Sequence, residues 1–218
     1  MRLLKVYGPM AQPRSAGTDA ILQAGLVPVC ARYHKGTMNT EYQIRPAIFD
    51  DASGIAQVQV ASWKTTYRGI LPDALIDRIG VEDRTKSWQK ILTTFDETGQ
   101  GGAMVVETAG RIVGFGSYGQ QRDAELAAAG FGGEFTTIYL EHAHQRAGLG
   151  RALMAAMAAE LVKSGETAAA LWVISANTNA VAFYRALAGE TVAERADPQG
   201  GDMDECAYGW RDLSGLIG

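Results

Sequence analysis

Residues 138–161 read I-Y-L-E-H-A-H-Q-R-A-G-L-G-R-A-L-M-A-A-M-A-A-E-L, and no other stretch restricts the fold as much. An apolar β-type run with Phe135, Ile138, Tyr139 and Leu140 stops at a polar, glycine-bearing turn. The chain then passes directly into an Ala/Leu/Met-rich helix beginning near Gly148. A strand, a glycine loop and a helix N-terminus in series bring free backbone N–H groups and the positive end of the helix dipole to one point. That arrangement suits an anion.

The segments on either side predict a mixed α/β domain. A strand over 42–47 is followed by a helix that Asp50 or Asp51 can cap, with Ile55, Val58 and Ala61 on one face, and Gly69 and Pro72 break it. Leu75, Ile76, Ile79, Trp88, Ile91 and Leu92 mark further helix, and 96–102 is a glycine-rich turn. A hairpin over 103–107 and 112–118 turns at Ala109 and Gly110, and a long connection over 119–133 has the length of a functional loop. After the central helix come a strand over 169–174 and a short helix over 177–187 with Ala180, Phe183 and Leu187 toward the core. Two final strands, 191–195 and 203–210, join through a turn at 197–202.

Residues 1–37 differ in character: they are basic, poor in acids and interrupted by Pro9, Pro13 and Pro28, and they read as a weakly ordered extension. Met38 is then an expected natural start of the domain over 38–218. The 20 Lys+Arg against 24 Asp+Glu supply no strong pull toward nucleic acid or anionic lipid. No apolar run reaches the ~18 residues of a membrane-spanning helix. Cys30 and Cys206 lie far apart without metal-type spacing, so neither a disulfide framework nor a metal site is expected, and the expected compartment is the cytoplasm.

The turn Gln145-Arg146-Ala147-Gly148-Leu149-Gly150 has the spacing Q-x-x-G-x-G. Glycines here let a diphosphate approach the backbone, and Arg146 and Arg151 can add charge-assisted contacts. A turn that merely needs glycine reads the same way, so both readings stay open on these residues alone. Neither G-x-x-x-x-G-K-[ST] nor G-x-G-x-x-G is present, which argues against a nucleotide-hydrolysing loop or a dinucleotide site.

Taken together, I-Y-L-x-x-x-x-Q-R-A-G-L-G-R-A-L and the downstream L-W-V-x-x-x-N-x-x-A-x-x-F-Y of residues 171–184 resemble the two signature motifs of the GNAT superfamily, the GCN5-related N-acetyltransferases. The resemblance covers 42–212. It implies the GNAT fold, a mixed central sheet of about six to seven strands flanked by helices, and direct acetyl transfer from acetyl-CoA to an amine. In this reading the backbone of Arg146, Ala147, Gly148, Leu149, Gly150 and Arg151, in the turn opened by Gln145, holds the CoA pyrophosphate. The strand end Ile138, Tyr139 and Leu140 pairs with the pantetheine arm, and Asn177 bonds that arm from the second motif. Tyr184 is the expected general acid for the departing thiolate, and Glu134 the expected base. Strand alternation puts Glu134, Thr136, Ile138 and Leu140 on one face, with Phe135, Thr137 and Tyr139 on the other.

His144 is a weaker candidate base, and Trp63 and Tyr67 match the region that lines the acceptor side. The pattern departs from the family at Leu187-Ala188-Gly189, where L-G-F or L-G-G is usual, and at Ala143, where proline is common. A small-molecule amine is the expected partner and a homodimer the assembly the resemblance suggests. A protein N-terminus or lysine is the alternative acceptor, and a non-catalytic acyl-CoA-binding module the alternative of another class.

Overall fold

In a computed structural model, residues 31–35, 40–68, 72–197 and 203–218 are described. The hairpin forms where Ala109 (φ 48°) and Gly110 (φ 73°) permit a tight left-handed turn between β3 (Gly102–Thr108) and β4 (Arg111–Gln120). Around it an eight-stranded sheet assembles in the order β1-β2-β3-β4-β5-β6-β8-β7. Its other members are β1 (Ala31–Lys35), β2 (Thr40–Pro46), β5 (Gly133–Leu140), β6 (Ala169–Ile174), β7 (Glu190–Arg195) and β8 (Glu205–Trp210). The sheet exceeds the expected six to seven strands because β1, within the segment read as an extension, pairs antiparallel with β2. Residues 1–30 and Met38 lie outside the described residues.

Helices cover both faces. On one side lie α1 (Ala52–Thr66), the single turn α2 (Asp73–Ile76) and α3 (Val81–Thr98), sharing a core with Ile55, Val58, Trp88, Leu92, Phe95, Val105 and Phe115. Ile55 and Val58 of α1 are buried as expected, while Ala61 is exposed and Ser62 and Trp63 turn inward in its place. The connection after β4 is not an open loop. Asp123 caps a short helix, α4 (Ala124–Ala128), by accepting from the Glu125 and Leu126 N–H groups, and Leu126 and Phe131 pack on Ala168, Ala170 and Ala207.

The opposite face carries α5 (Leu149–Lys163), α6 (Thr178–Ala186) and α7 (Ser214–Ile217). The alanine richness of α5 has a packing cause, since Ala152, Ala156 and Ala158 are buried with Leu153, Met154 and Met157. Small residues let that helix lie close to the sheet. A Cβ on Gly116 of β4 would come within 2.7 Å of the Met157 sulfur.

All strand pairs are antiparallel except β5 with β6. That parallel pair is short, with the register Gly133↔Ala169 and Glu134↔Ala170 and no further. Beyond it β5 stays on β4 to Leu140, while β6 stays on β8 to Ile174. The sheet therefore splits, and the six residues of β5 past Glu134 extend along the gap for about 20 Å at ~3.3 Å each. Gly133 stands at the apex, where a Cβ would meet Ala169 and Leu161 at 3.0–3.1 Å.

Candidate active site

The gap opens toward the carboxyl ends of β5 and β6, the place where diverging parallel strands leave a crevice for ligands. Two loops border it, one leading from β5 into α5 and the other from β6 into α6. The helices they enter meet at Gly150 of α5, where a Cβ would lie 3.1 Å from the Phe183 ring of α6 and 3.6 Å from Leu140 of β5. Gly150 is thus a packing glycine. Gly148 is the conformational one, with φ 79° and open space around it.

The turn leaves its donors free. Gln145 Nε2 donates to the Leu140 carbonyl at 3.1 Å and so closes the loop on the strand end, which explains the glutamine of the motif. The next six backbone N–H groups, of residues 146–151, make no hydrogen bond among the described residues. Gly148 is the N-cap of α5 without a side-chain cap, and Ala152 N–H is the first to bond, to Gly148 O at 3.1 Å. Arg146 has φ 59°, and its alternation with Ala147 and Gly148 makes a concave run of amides at the positive end of a four-turn helix. These residues fit a diphosphate. The Arg151 side chain does not join them, because Nη2 donates to Ala186 O at 3.0 Å and tethers α6 instead.

The edge of β5 supplies a second set of free groups. Glu141 N–H bonds Val113 O of β4 at 2.9 Å, and strand alternation then points the backbone of Leu140 and Ile138 away from β4 into the gap. The backbone of Tyr139 faces β4, so this residue acts through its side chain. Its hydroxyl accepts from Trp63 Nε1 at 3.0 Å, and the Trp63 and Tyr67 rings meet edge to face at 5.2 Å. The expected acceptor-side pair is therefore joined to the strand at the gap.

The expected strand alternation holds only in part. Ser117 pairs with Thr137 and the next residue, Tyr118, with Phe135, so Thr136 is an extra residue in β5. This bulge moves Phe135 to the α5 face, where it packs in the same core as Ile138 and Leu140 and touches Trp210 at 5.6 Å. Thr137, bonded to Ser117 at 2.8 Å, and Tyr139 face α1.

Glu134 precedes the bulge, at the closed end of the gap. Arg122 holds it with Nη2 at 2.6 Å, Nε at 2.8 Å and the backbone N–H at 3.2 Å. Both carboxylate oxygens accept from Arg122. Nothing in the sequence marks Arg122 as this partner, because the pairing depends on how the α4 connection folds back on β5. His144 is likewise engaged, its Nδ1 3.0 Å from the Tyr42 hydroxyl.

Tyr184 is buried, and Phe183 beside it is the half-buried one, the reverse of the expected order. The Tyr184 ring is boxed by Phe183 at 5.3 Å, Tyr208 at 5.9 Å and Trp210 at 6.1 Å. Among the described residues its hydroxyl has no hydrogen-bond partner. Burial pushes its pKa above the ordinary 10, and the Tyr67 phenol adds to the rise. The phenol therefore keeps its proton throughout the neutral range. Asn177 caps α6, its Oδ1 accepting from Ala180 N–H at 3.2 Å, which leaves its side-chain amide N–H groups as donors.

Residues 63–189 match the acetyltransferase (GNAT) family. The chain is 33% identical over 174 residues to "Uncharacterized N-acetyltransferase YuaI" of Bacillus subtilis (strain 168), covering 79% of this chain and 95% of that protein. Its fold is similar to the PaiA N-acetyltransferase of Thermoplasma acidophilum in complex with coenzyme A, with a TM-score of 0.62, 18% identity and 77% and 97% of the two chains covered. It is similar also to YncA of Salmonella typhimurium, solved with its cofactor acetyl-CoA, with a TM-score of 0.60, 22% identity and coverage of 79% and 94%. Split sheet, open amide turn and matching residues agree, and the chain belongs to the GNAT family of acetyl-CoA-dependent N-acetyltransferases.

Proposed function

We infer that the protein moves the acetyl group of acetyl-CoA directly to a primary amine of a small molecule, with Tyr184 as the general acid. One observation supports this most: the N–H groups of residues 146–151 are unbonded at the start of α5 beside the open edge of β5, and Phe183, the neighbour of Tyr184 on α6, packs at Gly150 of that turn. Acetyl-CoA supplies an acyl group activated as a thioester. The residues 146–151 bind its diphosphate through backbone amides, and Arg146 adds an exposed guanidinium. The Ile138 and Leu140 N–H groups orient the arm and are the donors for a carbonyl oxygen that gains charge. Tyr184 holds the proton that the departing sulfur requires. Trp63 and Tyr67 form the acceptor side.

The commitment of Glu134 to Arg122 alters the account of the amine proton. In our reading the amine loses it to solvent, and the acceptor's own pKa, near 10 for an alkylamine, governs the rising limb of kcat/KM. Acceptors with less basic amines should move that limb to lower pH one for one. Glu134→Gln should leave it in place. A limb that stays fixed across acceptors and disappears in Glu134→Gln would restore the glutamate as base.

The test of the overall reading is release of free thiol from acetyl-CoA in the presence of a panel of amines. Release with one or more small amines is expected. Release only with peptides bearing a free N-terminus or lysine would move the acceptor to proteins, and tight acetyl-CoA binding without release from any amine would make the site a binding module.

A further inference from the structure

We propose that Tyr208, held by Arg185, is a positioning residue that sets the Tyr184 ring for proton donation. This rests on Tyr184 being the general acid. The two tyrosines come from different elements, α6 and β8, and their rings meet at 5.9 Å with 36° between planes. A helix side chain with two free torsions keeps one orientation only if its neighbours forbid the others. Trp210 closes the edge at 6.1 Å and is itself fixed, because its Nε1 donates to Leu187 O at 2.8 Å and its ring leaves no room for a Cβ on Gly189.

Tyr208 forms the flat side of this box, with 1% of its surface exposed. A buried phenol needs a partner for its oxygen, and here Arg185 Nε donates to Oη at 2.8 Å. Arg185 adjoins Tyr184 on α6, so the same bond ties the last turn of that helix to β8. Loss of the bond would leave the Tyr208 oxygen buried without a partner and free its ring to shift against Tyr184. Arg185 itself lies at the surface and contacts neither the amide turn nor the β5 edge among the interactions described.

The experiment is a mutant cycle read by steady-state kinetics. Tyr208→Phe keeps the ring and removes the hydroxyl without leaving a buried polar atom unpaired, and Arg185→Met removes the donor from an exposed position. Each should lower kcat about tenfold with KM for acetyl-CoA unchanged, and Arg185→Lys should recover part of the loss. Because the effect runs through Tyr184, the double variant Tyr184→Phe/Tyr208→Phe should turn over no more slowly than Tyr184→Phe alone. Full kcat in Tyr208→Phe and Arg185→Met, or losses that multiply in the double variant, would overturn the positioning role while leaving Tyr184 as the acid. Full activity in Tyr184→Phe itself would remove the acid and this proposal with it.

Discussion

Tyr184 combines two requirements that pull against each other. An ordinary phenol loses its proton near pH 10 and an ordinary thiol near ~8.5, so donation from phenol to thiolate is uphill by about 2 kcal/mol, and burial of the phenol widens the gap. Desolvation of the sulfur beside this buried phenol would offset the difference, since it also disfavours a thiolate. Tyr184→Phe should therefore reduce kcat by about 10²-fold or more while leaving acetyl-CoA affinity unchanged, as measured by turnover and equilibrium binding. The two glycines of the turn separate in the same way. Gly148→Ala strains a residue at φ 79° and should cost about 1 kcal/mol of stability and weaken acetyl-CoA binding. Gly150→Ala pushes on the Phe183 ring beside Tyr184, so its larger effect should fall on kcat. Denaturant unfolding and separate kcat and KM values distinguish the pair.

Among the elements, β5 has the most to satisfy. It carries a bulge at Thr136, a ladder to β4 that resumes on either side of it and only two residues paired to β6. The start of α1 is secured differently. Arg45 of β2 donates to Asp51 from Nη1 at 2.7 Å and Nη2 at 2.9 Å and to Glu107 of β3 at 2.7–3.0 Å, while Asp51 also accepts from Ile48 N–H at 2.8 Å. Asp51 thus serves as a clamp between helix and strands, with its side chain spent on Arg45 and Ile48 and not on capping α1. Burial alone would raise the Asp51 pKa, but the Arg45 hydrogen bonds, the Ile48 N–H and the Arg45 charge outweigh it and hold the carboxyl below the ordinary 3.8. A lowered folded-state pKa means stabilisation that is complete above that ordinary value and lost as pH falls through the lower one. Asp51→Ala should cost about 2–3 kcal/mol at neutral pH, with the difference from the natural protein shrinking as pH falls below the ordinary carboxylate range, in urea titrations at neutral and acid pH.

For the whole molecule, binding at the split couples both halves of the sheet. A ligand that holds the α5 N-terminus and the β5 edge binds only the folded chain, so CoA at 100 times its Kd should add about 2.7 kcal/mol of stability. Pantetheine, which lacks the diphosphate, should give much less at equal concentration, and equal shifts in thermal unfolding would argue against the amide turn as the diphosphate site. Much of this arrangement was legible in the chain. Residues 138–161 determined a strand, a glycine turn and a helix start because each rests on local chemistry: apolar periodicity, left-handed φ at Gly148 and free amides in the first helical turn. The resemblance of the second motif to the family's added Asn177 and Tyr184. Only the tertiary structure decided the rest. The bulge at Thr136, the parting of β5 from β6, the commitment of Glu134 to Arg122 and the burial of Tyr184 against Tyr208 and Trp210 all join residues far apart in sequence, and no local preference encodes which distant partner a side chain meets. That is settled by close packing of the two helix layers on a sheet that divides between them.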